Sequence, residues 1–513
     1  MGGIFGVCSN SDCVSDLFFG TDYHSHLGTR RGGMAVYDGN QYNRAIHKID
    51  NSPFRTKFES DITEMKGCLG VGCISDSNPQ PVIIKSKIGT LAVVTVGRIN
   101  NKNELADRLI SEDNAYFTEM SGGSINDTEL VASLICRKDN VPDGIKYAQD
   151  KIEGSMTMLI SADGGLYAAR DKWGRTPLSI GKKENTDNPR GADSTHDGVN
   201  PRGGESPSNG GNPRDGVNPR DGVRGYCASL ESFAYINLGY KPCHELGPGE
   251  VVFITPETMT SVFQPRDEMK MCVFLWMYYG FPTSDYEGVN VEEMRYKCGQ
   301  SLADQDSAGG TGVDADYVAG IPDSGTAHAI GYANHSKIPF ARPLIKYTPT
   351  WPRSFTPKDQ SMRDLIAKMK LVPINALIQN KKLMFIEDSI VRGTQMRGLM
   401  DYLFSYGAKE LHVRIACPPI LYNCKFLNFT RSSIENETIA RQAILRLEGA
   451  DKIDDSRVSQ YADQDSVKYR NMVEDIRRNL NLTSLEYHSL DGMLGAVGVD
   501  KCRLCTYCWK GVE

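Results

Sequence analysis

The chain has 513 residues, 40% of them hydrophobic and 24% charged, with a formal net charge of −6. That length buries a large core and divides into two domains or more, and the balance is ordinary for a soluble globular protein. The acidic charge gives no electrostatic case for nucleic acid. No apolar run is long enough to span a bilayer, and no basic-then-apolar leader opens the chain.

Met1-Gly2 invites a myristoylation reading, but Gly6 stands where Ser or Thr is expected. A cytoplasmic protein is the expectation, and 14 cysteines in such a chain point to metal or buried thiols rather than disulfides. Over residues 1 to about 180, strand-like runs recur at Gly3 to Cys8, Gly67 to Ile74, Gly89 to Val96, Ser155 to Ser161 and Gly165 to Arg170. A helix is predicted at Asp127 to Arg137, with Leu130, Val131 and Leu134 on one face, so the material is α/β or α+β.

Residues 184–224 differ. NPRG or NPRD recurs at 188, 200, 212 and 218, at spacings of twelve, twelve and six. Almost nothing apolar is present, so the segment reads as a solvated, disordered insertion. A basic interaction arm is the other reading, but Asp and Glu offset much of its Arg. Strand-like patterning resumes over Tyr226 to Thr255, and a second domain is expected from residue 264. Tyr317 to Ala333 reads as strand, tight loop, helix, with Asp323, Ser324 and Gly325 in the loop. Residues 346–360 hold three prolines without apolar period and read as a surface loop. Residues 434–481 look helical and charged, Asn436 to Leu447 most clearly.

The most informative stretch is KKLMFIEDSIVRGTQMRGL, residues 381–399. A short strand (Leu383 to Ile386) ends in two carboxylates, Glu387 and Asp388. The loop Ser389-Ile390-Val391-Arg392-Gly393-Thr394 follows, then a helix with Met396, Leu399, Met400, Leu403 and Phe404 on one face and Gly407 just past its end. A second strand, Leu411 to Ala416, completes the unit. In a parallel sheet such a loop lies at the carboxyl edge, where free N–H groups and the helix dipole favour a phosphate. The adjacent acids suit sugar hydroxyls or a bound Mg²⁺. An ordinary strand-to-helix turn with solvated acids is the bland alternative.

This string resembles the phosphoribosyl pyrophosphate (PRPP) motif of type I phosphoribosyltransferases, most closely that of the amidophosphoribosyltransferase family, which opens purine biosynthesis. The family pattern has two Asp before SIVRGTT; here the acids are Glu387 and Asp388, and Gln395 ends the string. The resemblance covers nearly the whole chain. It implies an N-terminal αββα sandwich of the N-terminal-nucleophile type over 2–263, a glutaminase-like domain carrying the 184–224 insertion, then a type I phosphoribosyltransferase domain over 264–513. It also implies that the Ile321 to Gly325 loop takes pyrophosphate. Lys346 and the 346–360 segment would form a closing flap, in which Arg353, Ser354 and Phe355 match Arg-Thr-Phe while the family's Asn-Arg-Tyr is absent. Lys346, Arg353, Glu387 and Asp388 are the catalytic candidates. Purine nucleotides and a homo-oligomer are further implied partners.

The family's processed N-terminus is Cys-Gly-Ile-Phe-Gly, whose Cys attacks the glutamine amide while its own amine serves as base. Here the string is Gly2-Gly3-Ile4-Phe5-Gly6, with the amine but no thiol. The glutamine-holding Arg corresponds to Cys73, and the oxyanion-hole Asn-Gly to Val96-Gly97; Arg31-Gly32-Gly33 and Asp127-Thr128-Glu129 survive. Glutamine hydrolysis is therefore expected to be absent, leaving ammonia, free or from a supplying partner, as the nitrogen source. A non-catalytic PRPP- or nucleotide-binding regulator, and phosphoribosyl transfer to a different nucleophile, are the rival readings.

The tail KCRLCTYCWKG places Cys502, Cys505 and Cys508 at two-residue gaps. By resemblance Cys505 and Cys508, with Cys424 and Cys272, are ligands of a [4Fe–4S] cluster of structural role; zinc in a Cys₄ site is the inorganic alternative. Cys8, Cys68, Cys136, Cys227, Cys243, Cys298 and Cys417 are expected to be buried apolar thiols.

Overall fold

The N-terminal strands are apolar at consecutive positions, as strands buried on both faces must be. The computed structural model, which describes residues 2–121, 123–184, 223–347, 371–428 and 437–512, shows this arrangement. A seven-stranded antiparallel sheet runs Lys241–Glu245, Ser179–Glu184, Val223–Ser229, Gly2–Ser9, Leu69–Ser75, Arg31–Tyr37, Tyr42–Lys48. A six-stranded antiparallel sheet runs Met259–Phe263, Val251–Ile254, Gly165–Ala169, Gly154–Ala162, Gly89–Ile99, Val82–Ser86.

Side-chain alternation sorts each strand between two cores. Ile4 and Cys8 meet Ala92, Val94, Leu159 and Leu166 of the facing sheet. Phe5 and Val7 turn outward onto Leu17 and Phe18 of the helix Val14–Asp22. Leu91 and Val93 point the other way, onto Leu105, Leu109, Leu130 and Leu134 of the helices Lys102–Asp113 and Asp127–Ile135. Helix, sheet, sheet, helix is the layer order. Asn126 starts the Asp127–Ile135 helix by accepting from Thr128 N–H at 2.9 Å.

The second half is built on a parallel sheet, Tyr317–Gly320, Lys382–Glu387, Glu410–Ile415, Ser484–Tyr487 in that order. Phe340 bridges Val318 in parallel on the outer side, so the spatial order of successive strands is 2-1-3-4-5. The chain reverses direction across the sheet between Tyr317–Gly320 and Lys382–Glu387, and ligands bind outside the strand ends at such a switch point. The helix Thr394–Ser405 buries Met396, Met400 and Leu403. Gly407 takes a φ of 83° past its end, where the left-handed conformation closes the helix.

The helical stretch expected from Asn436 begins at Ile439, where Thr438 caps it by accepting from Arg441 N–H. It resolves into three helices, Ile439–Glu448, Asp455–Ser459 and Val467–Asn479. Two cysteine expectations need correction: Cys68 and Cys243 are exposed, and Cys136 is half-buried, whereas Cys8, Cys227, Cys298 and Cys417 are buried. Cys68 and Cys243 sit where a strand begins or edges the sheet, so only one face is covered. Nearly all of the 184–224 insertion, residues 185–222, lies outside the described residues, as do 348–370, which include Arg353, and 429–436. No helix among the described residues is long and apolar enough to cross a membrane.

Candidate functional site

Two loops meet at the switch point. Ile321 N–H donates to Ile386 O at 3.1 Å, lacing the Ile321 to Gly325 turn to the end of the neighbouring strand. Ser324 Oγ then donates to Glu387 Oε1 at 2.8 Å, and Asp388 N–H donates to the same oxygen at 3.1 Å. Ser389 Oγ donates to Asp388 Oδ2 at 2.6 Å. Glu387 and Asp388 are 7% and 4% exposed, so these acids are not solvated turn residues. Burial first, and then the charge of Asp388, holds the Glu387 carboxyl well above the usual carboxylate range. Asp323 at the mouth is exposed and pairs with Lys346, which ends the strand Leu344–Lys346.

The Ser389 to Thr394 loop is shaped by what lies under it. Ile390 is buried, while Val391, Arg392 and Thr394 face solvent. Gly393 caps the helix in the left-handed region, at φ 77°. A Cβ there would stand 2.4 Å from Ile439 Cδ1, so glycine is required by both torsion and space. Val391 O accepts from Ile439 N–H at 2.7 Å, and Arg392 pairs with Glu437. Helix N-terminal N–H groups beyond Gly393 have no intrahelical acceptor, which makes this rim suited to an anion. Glu437 and Ile439 could not have been found from the motif, because they arrive from a separate helix start.

The N-terminal positions have a different character. Gly2, Gly3 and Ile4 pair with Ser75, Ile74 and Cys73. A Cβ on Gly2 would stand 2.5 Å from the Ile74 carbonyl oxygen. Cys73 and Val96 are 1% and 4% exposed and lie in one apolar cluster between the sheets. Burial pushes the Cys73 thiol up, and its Sγ donates to Gln80 O at 3.4 Å. The Gly97 carbonyl accepts from Asn428 Nδ2 of the second domain at 2.7 Å. The surviving Asp127-Thr128-Glu129 string serves the fold: Asp127 pairs with Lys102, Thr128 bonds Thr95, and Glu129 accepts from Thr118 and Glu119.

The four singled-out thiols converge from distant segments. Met271–Cys272 pairs in parallel with Leu504–Cys505, placing Cys272 opposite Cys505. The N–H groups of Leu421 and Tyr422 both donate to Cys508 O at 3.0 Å, which seats the tail beside Cys424. Cys508 hydrogen-bonds Cys424 and lowers its thiol to about 7, while the same bond raises Cys508. Burial, then the charges of Cys424 and Cys505, raises Cys272. Leu427 N–H donates to Cys424 Sγ at 3.3 Å, and Arg175 Nη1 to Cys505 Sγ at 3.5 Å. Donors aimed at sulfur suit thiolates, so the residues fit a thiolate-held group. Cys502 is exposed. Among the described residues, no set of three or more His, Cys, Asp or Glu is spaced to hold a single metal ion.

The fold defines a class of protein: an N-terminal-nucleophile-type sandwich joined to a type I phosphoribosyltransferase domain. Residues 69–188 match the glutamine amidotransferase domain family. Along essentially its whole length the chain resembles, at moderate identity, the amidophosphoribosyltransferase family. It is 26% identical over 525 residues to the amidophosphoribosyltransferase of Bacillus subtilis, covering 99% of this chain and 93% of that protein. It is 28% identical to that of a Synechocystis species, covering 99% and 90%. The solved glutamine PRPP amidotransferase of B. subtilis, complexed with ADP and GMP, superposes with a TM-score of 0.77 at 25% identity, covering 100% of this chain and 97% of that one. A second solved structure, described as the allosteric regulatory enzyme of purine biosynthesis, gives 0.78 at 25% identity, covering 100% and 96%.

Proposed function

We propose that this chain binds PRPP at the switch point and forms 5-phosphoribosylamine from it with ammonia, without hydrolysing glutamine. The observation that carries the reading is the contrast between its two sites. The Glu387 to Thr394 loop keeps an open helix start beside two acids, while Gly2 lacks a thiol and abuts the Ile74 carbonyl. Cys73 and Val96, which replace the carboxylate clamp and the oxyanion donor, have become apolar core.

In this mechanism the N–H groups at Ser389 to Thr394 hold the 5-phosphate, and Asp388 and Glu387 receive the ribose hydroxyls. The Ile321 to Gly325 turn faces the pyrophosphate, with Lys346 at its mouth. Positive charge builds at the anomeric carbon as pyrophosphate departs, and preformed donors stabilise the leaving oxygens. Glu387 and Asp388 are also the residues that would hold Mg²⁺, which supplies charge neutralisation on the diphosphate. Arg353 and the 346–360 flap complete the proposal as the cover that excludes water. Purine nucleotides, bound by the solved B. subtilis relative, would use the same phosphate-binding rims in a homo-oligomer.

Cys272, Cys424, Cys505 and Cys508 are proposed to hold a [4Fe–4S] cluster that cross-links the tail to the domain junction. An all-sulfur donor set suits that soft centre.

One observation favours the rival reading of a non-catalytic PRPP-binding regulator. Glu387 is buried, and burial raises its carboxyl, which works against the charged form a cation needs. Pyrophosphate release from PRPP, measured with ammonia, with glutamine and with neither, separates the two. Release with ammonia alone supports the enzyme. Tight PRPP binding without turnover supports the regulator, and equal release with glutamine refutes the loss of glutamine hydrolysis.

A further inference from the structure

The three segments that bring the cysteines together are each tied to the sandwich domain. Arg175 is the centre of this contact. It is 1% exposed, its Nη1 donates to Cys505 Sγ at 3.5 Å, and its guanidinium lies 3.5 Å from the ring centre of Phe426, two residues past Cys424. Its carbonyl oxygen accepts from Cys272 N–H at 3.1 Å. Arg98 Nη1 donates to Cys424 O at 3.0 Å. The turn that presents Arg175 is fixed by Asp171, whose carboxylate accepts from Arg175 N–H at 2.6 Å.

Resting on the cluster reading above, we infer that the sandwich domain is a structural half of the cluster pocket, with Arg175 as a positioning residue that offsets thiolate charge and Arg98 as a brace on the Cys424 segment. This gives a domain without a nucleophile a role that needs none. The physical case is electrostatic. A [4Fe–4S] centre with four thiolates is net negative in either oxidation state and more so when reduced. A buried guanidinium against one sulfur stabilises the reduced form more, and removing it lowers the reduction potential. Arg98 bonds a carbonyl rather than a sulfur, so its loss loosens the segment without moving the potential much.

The test uses the full-length chain, reconstituted anaerobically with ferrous iron and sulfide. Iron and acid-labile sulfide per chain, visible absorption, the midpoint potential and the rate of cluster loss in air are measured for wild type, Arg175→Met, Arg175→Lys and Arg98→Gln. We expect Arg175→Met to lose its cluster about tenfold faster and at a lower potential, as removal of one charge-assisted bond implies. Arg175→Lys should recover most of the potential, and Arg98→Gln should speed loss at the wild-type potential. Wild-type potential and lifetime in Arg175→Met overturn the inference alone. A wild-type chain that takes up no sulfide, or a lone zinc, overturns the cluster reading and the arginine role with it. If Arg175→Met does not fold, Arg175→Gln takes its place by the same readouts, and a wild-type potential and lifetime there overturn the inference.

Discussion

Gly393→Ala isolates the turn on which the proposed phosphate binding rests. The residue sits at φ 77°, and an alanine there meets about 1–2 kcal/mol of left-handed strain. Its Cβ would also come 2.4 Å from Ile439 Cδ1 and 3.2 Å from Leu480 Cδ2. Because those atoms end flexible side chains, the crowding belongs at the low end of the range for overpacking, about 1 kcal/mol. The total is about 2–3 kcal/mol. If the loop relieves it by leaving the left-handed turn, the N–H groups turn away from the phosphate and PRPP affinity falls roughly 30- to 150-fold. If the loop holds, the deficit appears instead as lost thermal stability. Calorimetric titration with PRPP and Mg²⁺, together with thermal unfolding of the free protein, captures both cases. Adding Ile439→Val removes the Cδ1 contact and should return about 1 kcal/mol, the methyl's share of the crowding. An alanine variant with wild-type affinity and wild-type stability would refute the reasoning.

Glu387→Gln should stabilise the ligand-free protein at pH 7 and abolish PRPP-dependent Mg²⁺ binding. Burial raises the Glu387 carboxyl above its ordinary value of 4.5, so between the unfolded and the raised folded value folding loses up to about 1.4 kcal/mol per pH unit. The stability gap to the Gln variant should therefore shrink as pH falls toward that ordinary value, and a gap constant with pH in thermal unfolding counts against the raised carboxyl. Gly2→Cys should yield no glutamate from glutamine and should destabilise by about 1–3 kcal/mol through the clash with the Ile74 carbonyl; glutamate release by this variant would show that the clamp and oxyanion positions are dispensable. Asp306→Ala strips the buried Arg414 of its partner at 2.6 Å and the Tyr332 hydroxyl of its acceptor. A loss of about 3–5 kcal/mol is expected in denaturant titration, and a loss under 1 kcal/mol would mean that water replaces the pair.

How much of this was visible in the chain follows from the range of the forces involved. Apolar strand runs, the strand-acid-loop-helix unit at 382–405 and the glycine past its helix are set by neighbours in sequence, and these elements lie within three residues of their expected bounds. Helix starts were less legible, as at Ile439, because Thr438 caps that helix after a charged run with no periodic break. The exposure of Cys68 and Cys243 was missed for a related reason: pattern shows which side of a strand is apolar, but not whether another layer covers it.

Composition and motif alone determined that a glycine-containing loop joins paired acids to a helix, that the second residue is glycine and that cysteines gather at the tail. Only tertiary structure decided that Glu387 is buried against Ser324, that Ile439 dictates glycine at 393, and that Cys73 and Val96 lie in one apolar core. It also decided that Arg98 and Arg175 reach cysteine segments 326 and 330 residues away. Local torsion and periodicity are written into adjacent residues. Burial, charge pairing and the chemistry they control depend on which surfaces pack together, and no spacing along the chain encodes that.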